Sequence, residues 1–394
     1  MKQLYFLVCL GGVGQAAYGQ GQVTGKVLDK QTHQPVPYAS VAVLGSQAGT
    51  TSNAEGEFVL TVKSLPAKVV VSQLSYGRDT VAVAAAGALR PIELVPAAVS
   101  LPDVDMGSYS AELLKKAYRV LQRTNASKQY GQAFYRQVTR LDNDPTEVQE
   151  MVWNVKASSA GLEGTTLAQA RYAKKQALLS YKNLSNSTKV FQLYSPSVDT
   201  AQKGRVLGPN STEYYTLRLV GVVQNGSQNL AEIEFVGKPA YNPAHVQGTI
   251  FIDTDTYQVL RFKAGMDQNT TSSNPTFKFR EGRMVYHVVF KAQPSGAVLD
   301  YIKMTYTVTM SRMLKADVHQ EASGFTYFYN WQPTPTGLAY AGANAKESDI
   351  AAIKQTTYDP AFWRDNPVVK RTPLEEEIIK SFEQKKAFGT MLEK

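Results

Sequence analysis

Cysteine is almost missing from this chain: Cys9 is the only one among 394 residues. It falls in a leading segment read below as a removable signal. The mature chain is therefore expected to hold none, which excludes disulfides, thiol nucleophiles and thiolate metal ligands. Histidine is scarce as well, with His33, His245, His287 and His319 as the full set. No two stand four apart and no His-Glu-x-x-His occurs, so a helix-borne zinc site has no local scaffold. The serine signatures Gly-x-Ser-x-Gly and Ser-x-x-Lys are absent, as are the phosphate and dinucleotide glycine loops. Nothing after the first residues approaches the ~20 apolar residues of a membrane span. These gaps set the expectation of a non-enzymatic protein with no catalytic, cofactor-binding or metal residues.

The first nineteen residues have the order of a secretory signal. Lys2 supplies a charge, Leu4 to Val13 a short apolar run, and Ala17 and Gly19 the small residues before a cut after Gly19. Val8 precedes Cys9 after very little apolar run, so Cys9 reads as part of the signal and not as a lipid-modified position. The expected location is the periplasm or the outer-membrane periphery after Sec-type export. The net charge of +9 is dispersed, with no run of five or six bases, which suits anionic headgroups or polysaccharide more than nucleic acid.

From Gln20 to about 97, apolar residues alternate along short runs bounded by turn residues. Val23 and Val27, then Ala39, Val41 and Val43, then Phe58, Leu60 and Val62 carry the period of two. Val69 to Val71 and Thr80 to Val83 complete the set, and Asn53 and Gly56 bracket a tight turn. Gly25 to Asp29, Pro35 to Pro37, Ala39 to Val43, Gly45, Gly49-Thr50 and Asn53 to Phe58 together resemble the carboxypeptidase-regulatory-like domain. That resemblance implies a seven-stranded, transthyretin-like β-sandwich, a rigid adaptor without activity of its own, in an envelope protein of Bacteroidetes type. Ser75-Tyr76-Gly77 is shorter than the family's Ser-Tyr-x-Gly-Tyr. The same sandwich often precedes TonB-dependent transporters, but the residues of a plug and barrel are not here.

Residues 98–126 read as a linker, Pro96 to Asp105 being rich in Ala, Pro and Ser, followed by a helix. Ser110 is its expected N-cap, and Leu113, Leu114, Ala117, Val120 and Leu121 form one apolar stripe. Residues 127–345 read as long antiparallel strands. Ile302, Met304, Tyr306, Val308 and Met310 alternate with Lys303, Thr305, Thr307 and Thr309, and Asp253 to Thr256 is a hairpin turn. Ala168 to Leu179 fits helix and strand equally. The fold class is thus mainly β: a sandwich, then a large curved antiparallel sheet, half-barrel-like around the helix, similar in architecture to periplasmic lipoprotein carriers. In the tail, 346–394, Thr372-Pro373-Leu374-Glu375 is a capping box, with Leu374, Ile378 and Phe382 on one helix face. Tyr358 to Trp363 with Arg371 to Glu375 resembles the ends of uncharacterised envelope proteins that carry the same sandwich.

Two acidic pairs, Asp142/Asp144 and Asp253/Asp255, offer either calcium ligands or turns, and turns are the commoner use of such residues. Trp153, Trp331 and Trp363 offer either sugar platforms or core. Three functions stay open. The leading one is a binding or scaffolding protein that holds a lipid, lipoprotein or protein partner on a concave apolar surface of the large sheet. The second is a carbohydrate-binding accessory protein, and the third a hydrolase with an unrecognised site. No ligand-binding residues are assigned at this stage.

Overall fold

The computed structural model describes residues 21–46, 48–100, 106–181, 183–194, 205–225, 228–268, 277–344, 348–366 and 368–390. The expected signal, with Cys9, and the end of the expected linker lie outside the described residues.

Eight short strands build the first unit: β1 (Gly21–Asp29), β2 (Ser40–Val43), β3 (Gly49–Thr51), β4 (Glu57–Val62), β5 (Ala67–Ser72), β6 (Asp79–Val83), β7 (Gly87–Ala88) and β8 (Ile92–Leu94). One sheet runs β4-β1-β7 with β8 also on β1, and the other runs β3-β2-β5-β6. Where seven strands were expected there are eight, because the strand along the free edge of β1 is broken in two. Pro91, between the pieces, has no N–H to donate to a ladder. The core is what the alternation requires: Val23, Val27, Val41, Phe58, Leu60, Val69 and Val71 meet between the sheets. Asn53 closes the predicted turn, its Oδ1 accepting from the Glu55 and Glu57 amides at 3.0 and 2.9 Å, while Gly56 takes φ +73°.

The second unit follows as β9 (Val99–Ser100), α1 (Met106–Thr124), β10 (Gln129–Leu141), β11 (Asp144–Ser158), β12 (Gly161–Lys174), α2 (Leu184–Val190), α3 (Ser211–Tyr214), β13 (Tyr215–Asn225), β14 (Gln228–Gly237), β15 (Gln247–Asp253), β16 (Val259–Asp267), β17 (Phe277–Lys291), β18 (Val298–Arg312) and β19 (Lys315–Gln332). Its sheet is antiparallel and open, in the order β12-β11-β10-β19-β18-β17-β16-β15-β14-β13-β9, ten strands plus the two-residue β9. Nearly every neighbour is a hairpin partner. The exceptions are β9 on β13 and β19 on β10, the second of which brings the two ends of the domain together. The ambiguous 168–179 stretch is strand as far as Lys174, because β11 offers it a full ladder.

Register gives the sheet two faces. On the inner face α1 buries Leu113, Leu114, Ala117 and Leu121 in one core with Ile233, Ile250, Ile302 and Phe328. The helix starts four residues before the expected cap. Ser110 is fully buried inside it, so packing of the first turns outweighs the capping preference. Among the described residues four short helices follow the sheet: α4 (Asp349–Lys354), α5 (Pro360–Asp365), α6 (Pro373–Gln384) and α7 (Ala387–Thr390). Helix α6 opens with the capping box as read, both reciprocal bonds formed. Its buried face is Ile378, Ile379 and Phe382, whereas Leu374, expected on that face, is 40% exposed. Being in the first turn, Leu374 lies past the end of the surface that the helix covers.

Candidate functional site

The outer face of the large sheet is built from the odd-numbered residues of β18 and their cross-strand partners. One row reads Arg171, Glu150, Arg136, Phe325, Lys303, His287 and Lys263, from β12 across to β16. The next reads Phe134, Tyr327, Tyr301, Val289 and Arg261, from β10 to β16. Two other parts of the chain cover these rows.

The C-terminal arm covers the first end. Glu150 lies between two guanidinium groups, Arg136 Nε at 2.7 Å and Arg171 Nε at 2.7 Å. Arg136 reaches on to Glu375 at 3.2 Å and Arg171 to Glu383 at 2.9 Å, both on α6. Trp363 and Phe388 lie over the Arg171 guanidinium at 4.8 and 4.4 Å. Burial pushes the Glu150 carboxyl up, but Arg171 and Arg136 outweigh it and hold it down at about 2.

The sandwich covers the other end. Tyr38 stacks on Phe325 at 5.0 Å and tilts against Tyr301 at 5.5 Å, and Lys303 Nζ lies 4.9 Å from its ring. Thr50 Oγ1 donates to the Val368 carbonyl at 2.9 Å, Lys370 pairs with Glu57 at 2.9 Å, and Arg261 Nη1 donates to Ser75 Oγ at 3.2 Å. Between these contacts the two units leave a cleft of about 630 Å³. Ser40, Ala42, Val70 and Ser72 form its sandwich wall; Arg261, Lys291, Asp300, Tyr301, Tyr327, Tyr329 and Trp331 form its sheet wall.

Burial opposes the charge on Lys291, yet the Asp300 carboxylate 2.7 Å away more than offsets it and its pKa rises. Burial holds Tyr327 and Tyr329 up at about 12, so both hydroxyls stay protonated and can donate. His287, its Nε2 3.4 Å from the Tyr301 hydroxyl, is driven down to about 3 by burial and then by Arg261, Lys263 and Lys303. It is neutral at pH 7. Ring faces, neutral hydroxyls and one ion pair in a concave site at a domain interface are the chemistry of recognition.

The residues singled out from sequence scatter. Trp153 is buried against Tyr135 and Trp363 lies under its own arm, so of the three tryptophans only Trp331 reaches the rim of the cleft, its ring stacked on Phe328 at 6.0 Å and its indole N–H on the Leu299 carbonyl at 2.9 Å. The other two are core, because their strand and helix positions face covered surfaces. Asp253 caps its own turn, accepting from the Asp255 and Thr256 amides at 3.0 and 2.8 Å. Asp142 Oδ1 accepts from the His319 amide at 2.9 Å, and Asp144 pairs with Lys175 at 3.0 Å. His33 is exposed near Glu93 at 3.6 Å, and His245 pairs with Asp267 at 2.7 Å. Among the described residues no three of His, Cys, Asp and Glu are placed to share a metal ion. The tyrosines and the arginine–glutamate row were not identified from sequence. Strands β10, β11 and β12 carry many other polar residues, so nothing in their local pattern singled out Arg136, Glu150 and Arg171.

Fold and cleft together describe a two-unit β-protein: a small sandwich docked on the outer face of an open antiparallel sheet. Residues 23–104 match the family model of the CarboxypepD_reg-like domain, which covers the sandwich and the start of the connection. No curated protein matches the chain. Among solved structures, a DUF1329 family protein from Desulfovibrio piger ATCC 29098 is 9% identical over 58% of this chain and 95% of its own, with a TM-score of 0.25. A LolA superfamily protein from Nitrosomonas europaea is 12% identical over 59% and 95%, with a TM-score of 0.23. Lipovitellin is 11% identical over 66% of this chain and 31% of its own, with a TM-score of 0.26.

Proposed function

We propose that this chain is an exported, non-catalytic binding protein of the bacterial envelope that holds a glycan in the cleft between sandwich and sheet. The carrying observation is the cleft's make-up. Tyr38 and Tyr329 supply part-exposed rings backed by the buried Tyr301 and Tyr327, while Lys291, Asp300, Arg261 and the phenol hydroxyls supply polar groups between them. A sugar presents C–H faces to stack and hydroxyls to bond, so it matches both sets; an acyl chain matches only the first. On this reading the sandwich is more than a spacer, because it forms one wall of the site. Glycan-array screening of the intact protein should find ligands, and Tyr329→Ala should lower affinity about 30-fold, as for an aromatic contact of the site. Absence of any glycan binding, or unchanged affinity in Tyr329→Ala, refutes the proposal.

A lipid or acyl-chain ligand on the inner face is the second reading. There Phe191, Phe262, Tyr286, Tyr181 and Tyr306 form a half-exposed aromatic strip, Phe191 lying 5.7 Å from both Phe262 and Tyr286 and Tyr181 4.7 Å from Tyr306. Mass spectrometry of the purified protein distinguishes the two: co-purifying acyl chains that Phe262→Ser displaces support the lipid and count against the glycan.

A further inference from the structure

Far from the cleft, the hairpin joining β18 to β19 ends in an unusual pair. Met313 and Leu314 form the turn between the paired residues Arg312 and Lys315, and they are 71% and 99% exposed. Leu314 also sits in the left-handed region at φ +56°, where Asn or Gly is at home and a leucine is strained. The turn therefore carries two costs that folding does not recover: a strained backbone and two large apolar side chains in water. Both would be smaller with a polar turn of the same length.

Bases outnumber acids around the turn. Arg312 and Lys315 flank the turn, and Lys278 and Arg280 lie beside it on β17, opposite Ser311 and Thr309. Arg280 pairs with Asp317, and Arg312 braces the tip by donating twice to the Ala316 carbonyl, at 3.0 and 2.7 Å. Among the described residues, Lys278 and Lys315 have no acid within ion-pair reach. The tip also runs out beyond β10. The ladder between β10 and β19 ends at Gln320, with Asp142 still bonded to His319, so residues 315–318 run on for about 13 Å at the usual strand rise.

We infer that this hairpin is a membrane-surface anchor: Met313 and Leu314 enter the headgroup region of an anionic bilayer while Lys278, Arg280, Arg312 and Lys315 meet its phosphates. The inference uses the opposite end of β18 from the cleft and is independent of the ligand held there. Two apolar side chains and a few bases give weak, reversible, salt-sensitive attachment, the kind that concentrates a peripheral protein at a surface without fixing it.

The test is co-sedimentation of the intact protein with phosphatidylcholine vesicles, with and without phosphatidylglycerol. The parent should bind the anionic vesicles and release with added salt. Met313→Ser/Leu314→Asn should bind about tenfold more weakly, and Lys278→Ser/Lys315→Ser about fivefold more weakly per lysine removed. Asn is well suited to the left-handed position, so the first variant keeps its fold, which circular dichroism verifies. Equal binding by that variant overturns the inference, as does failure of the parent to bind or equal binding to vesicles without the anionic lipid. Concentration-dependent dimers that the variant abolishes, with no effect of vesicles, would assign the tip to self-association instead and also overturn it.

Discussion

Two helices lie on opposite faces of the same sheet and are held by opposite means. On the inner face α1 contributes a stripe of leucines and alanine to a dry core shared with β13 and β15. On the outer face α6 sets Ile378, Ile379 and Phe382 against β11 and β12, but frames them with Glu375 and Glu383 on the buried row Arg136–Glu150–Arg171. The first attachment is non-directional and graded, losing a little for each methylene removed. The second is geometric: each guanidinium has one correct place, and an error of register leaves a charge without a partner. The large sheet thus tolerates change on one side and is exacting on the other, where the sandwich, the arm and the cleft meet.

The largest expected effect tests the exacting side. Glu150→Ala leaves Arg136 and Arg171 facing each other in a buried site, and unfolding by urea should show a loss of about 3–5 kcal/mol. Exchanging all three for Met, Leu and Met should cost less, since it removes both buried guanidinium charges and leaves unpaired only Glu375 and Glu383, which reach solvent. If the single and triple variants lose the same amount, the comparison fails. On the tolerant side Leu114→Ala should cost about 3 kcal/mol in the same measurement, with the arm still resistant to limited proteolysis. A protease-sensitive C-terminus in that variant would show that the two faces are coupled.

Acid titration sharpens the contrast. Glu150 is held at about 2, below its ordinary 4.5, so its contribution is present above pH 4.5 and is lost as pH falls towards 2, about 3 kcal/mol in all. His287, at about 3 against 6.5, stays neutral when folded while the unfolded chain takes up its proton. Stability must therefore already decline from pH 6.5 downward, and His287→Gln should remove that upper part of the slope. A melting temperature that is flat from pH 7 to 5 in the parent would contradict the burial of His287. The smallest effect is Thr372→Ala, which removes the bond from the Glu375 amide and should cost about 1 kcal/mol, read as earlier fraying of the arm by hydrogen exchange.

Most of what was legible in advance was local. The alternation in β1, β4 and β18, the turns at Asn53 and Asp253, the stripe of α1 and the capping box of α6 all follow from residues within a few positions of one another. Ser110 and Leu374 mark where that reasoning stopped: one was buried by packing beyond its own helix, the other left outside the covered patch. The cleft was out of reach for the same cause. Tyr38 is more than 250 positions from Tyr301, and no periodicity relates them. The glycan reading and the membrane-facing tip both depend on which side chains remain uncovered after the units dock.

From the sequence alone came the strand-rich class, the sandwich, the antiparallel hairpins and the capped final helix, because backbone propensity and side-chain period act over short distances. Only the tertiary structure settled which face of the sheet receives the sandwich, which tryptophan meets the cleft and which charges are buried together. Those outcomes require β19 to pair with β10 and two units to dock, and contacts between residues so far apart leave no imprint on the spacing of the chain.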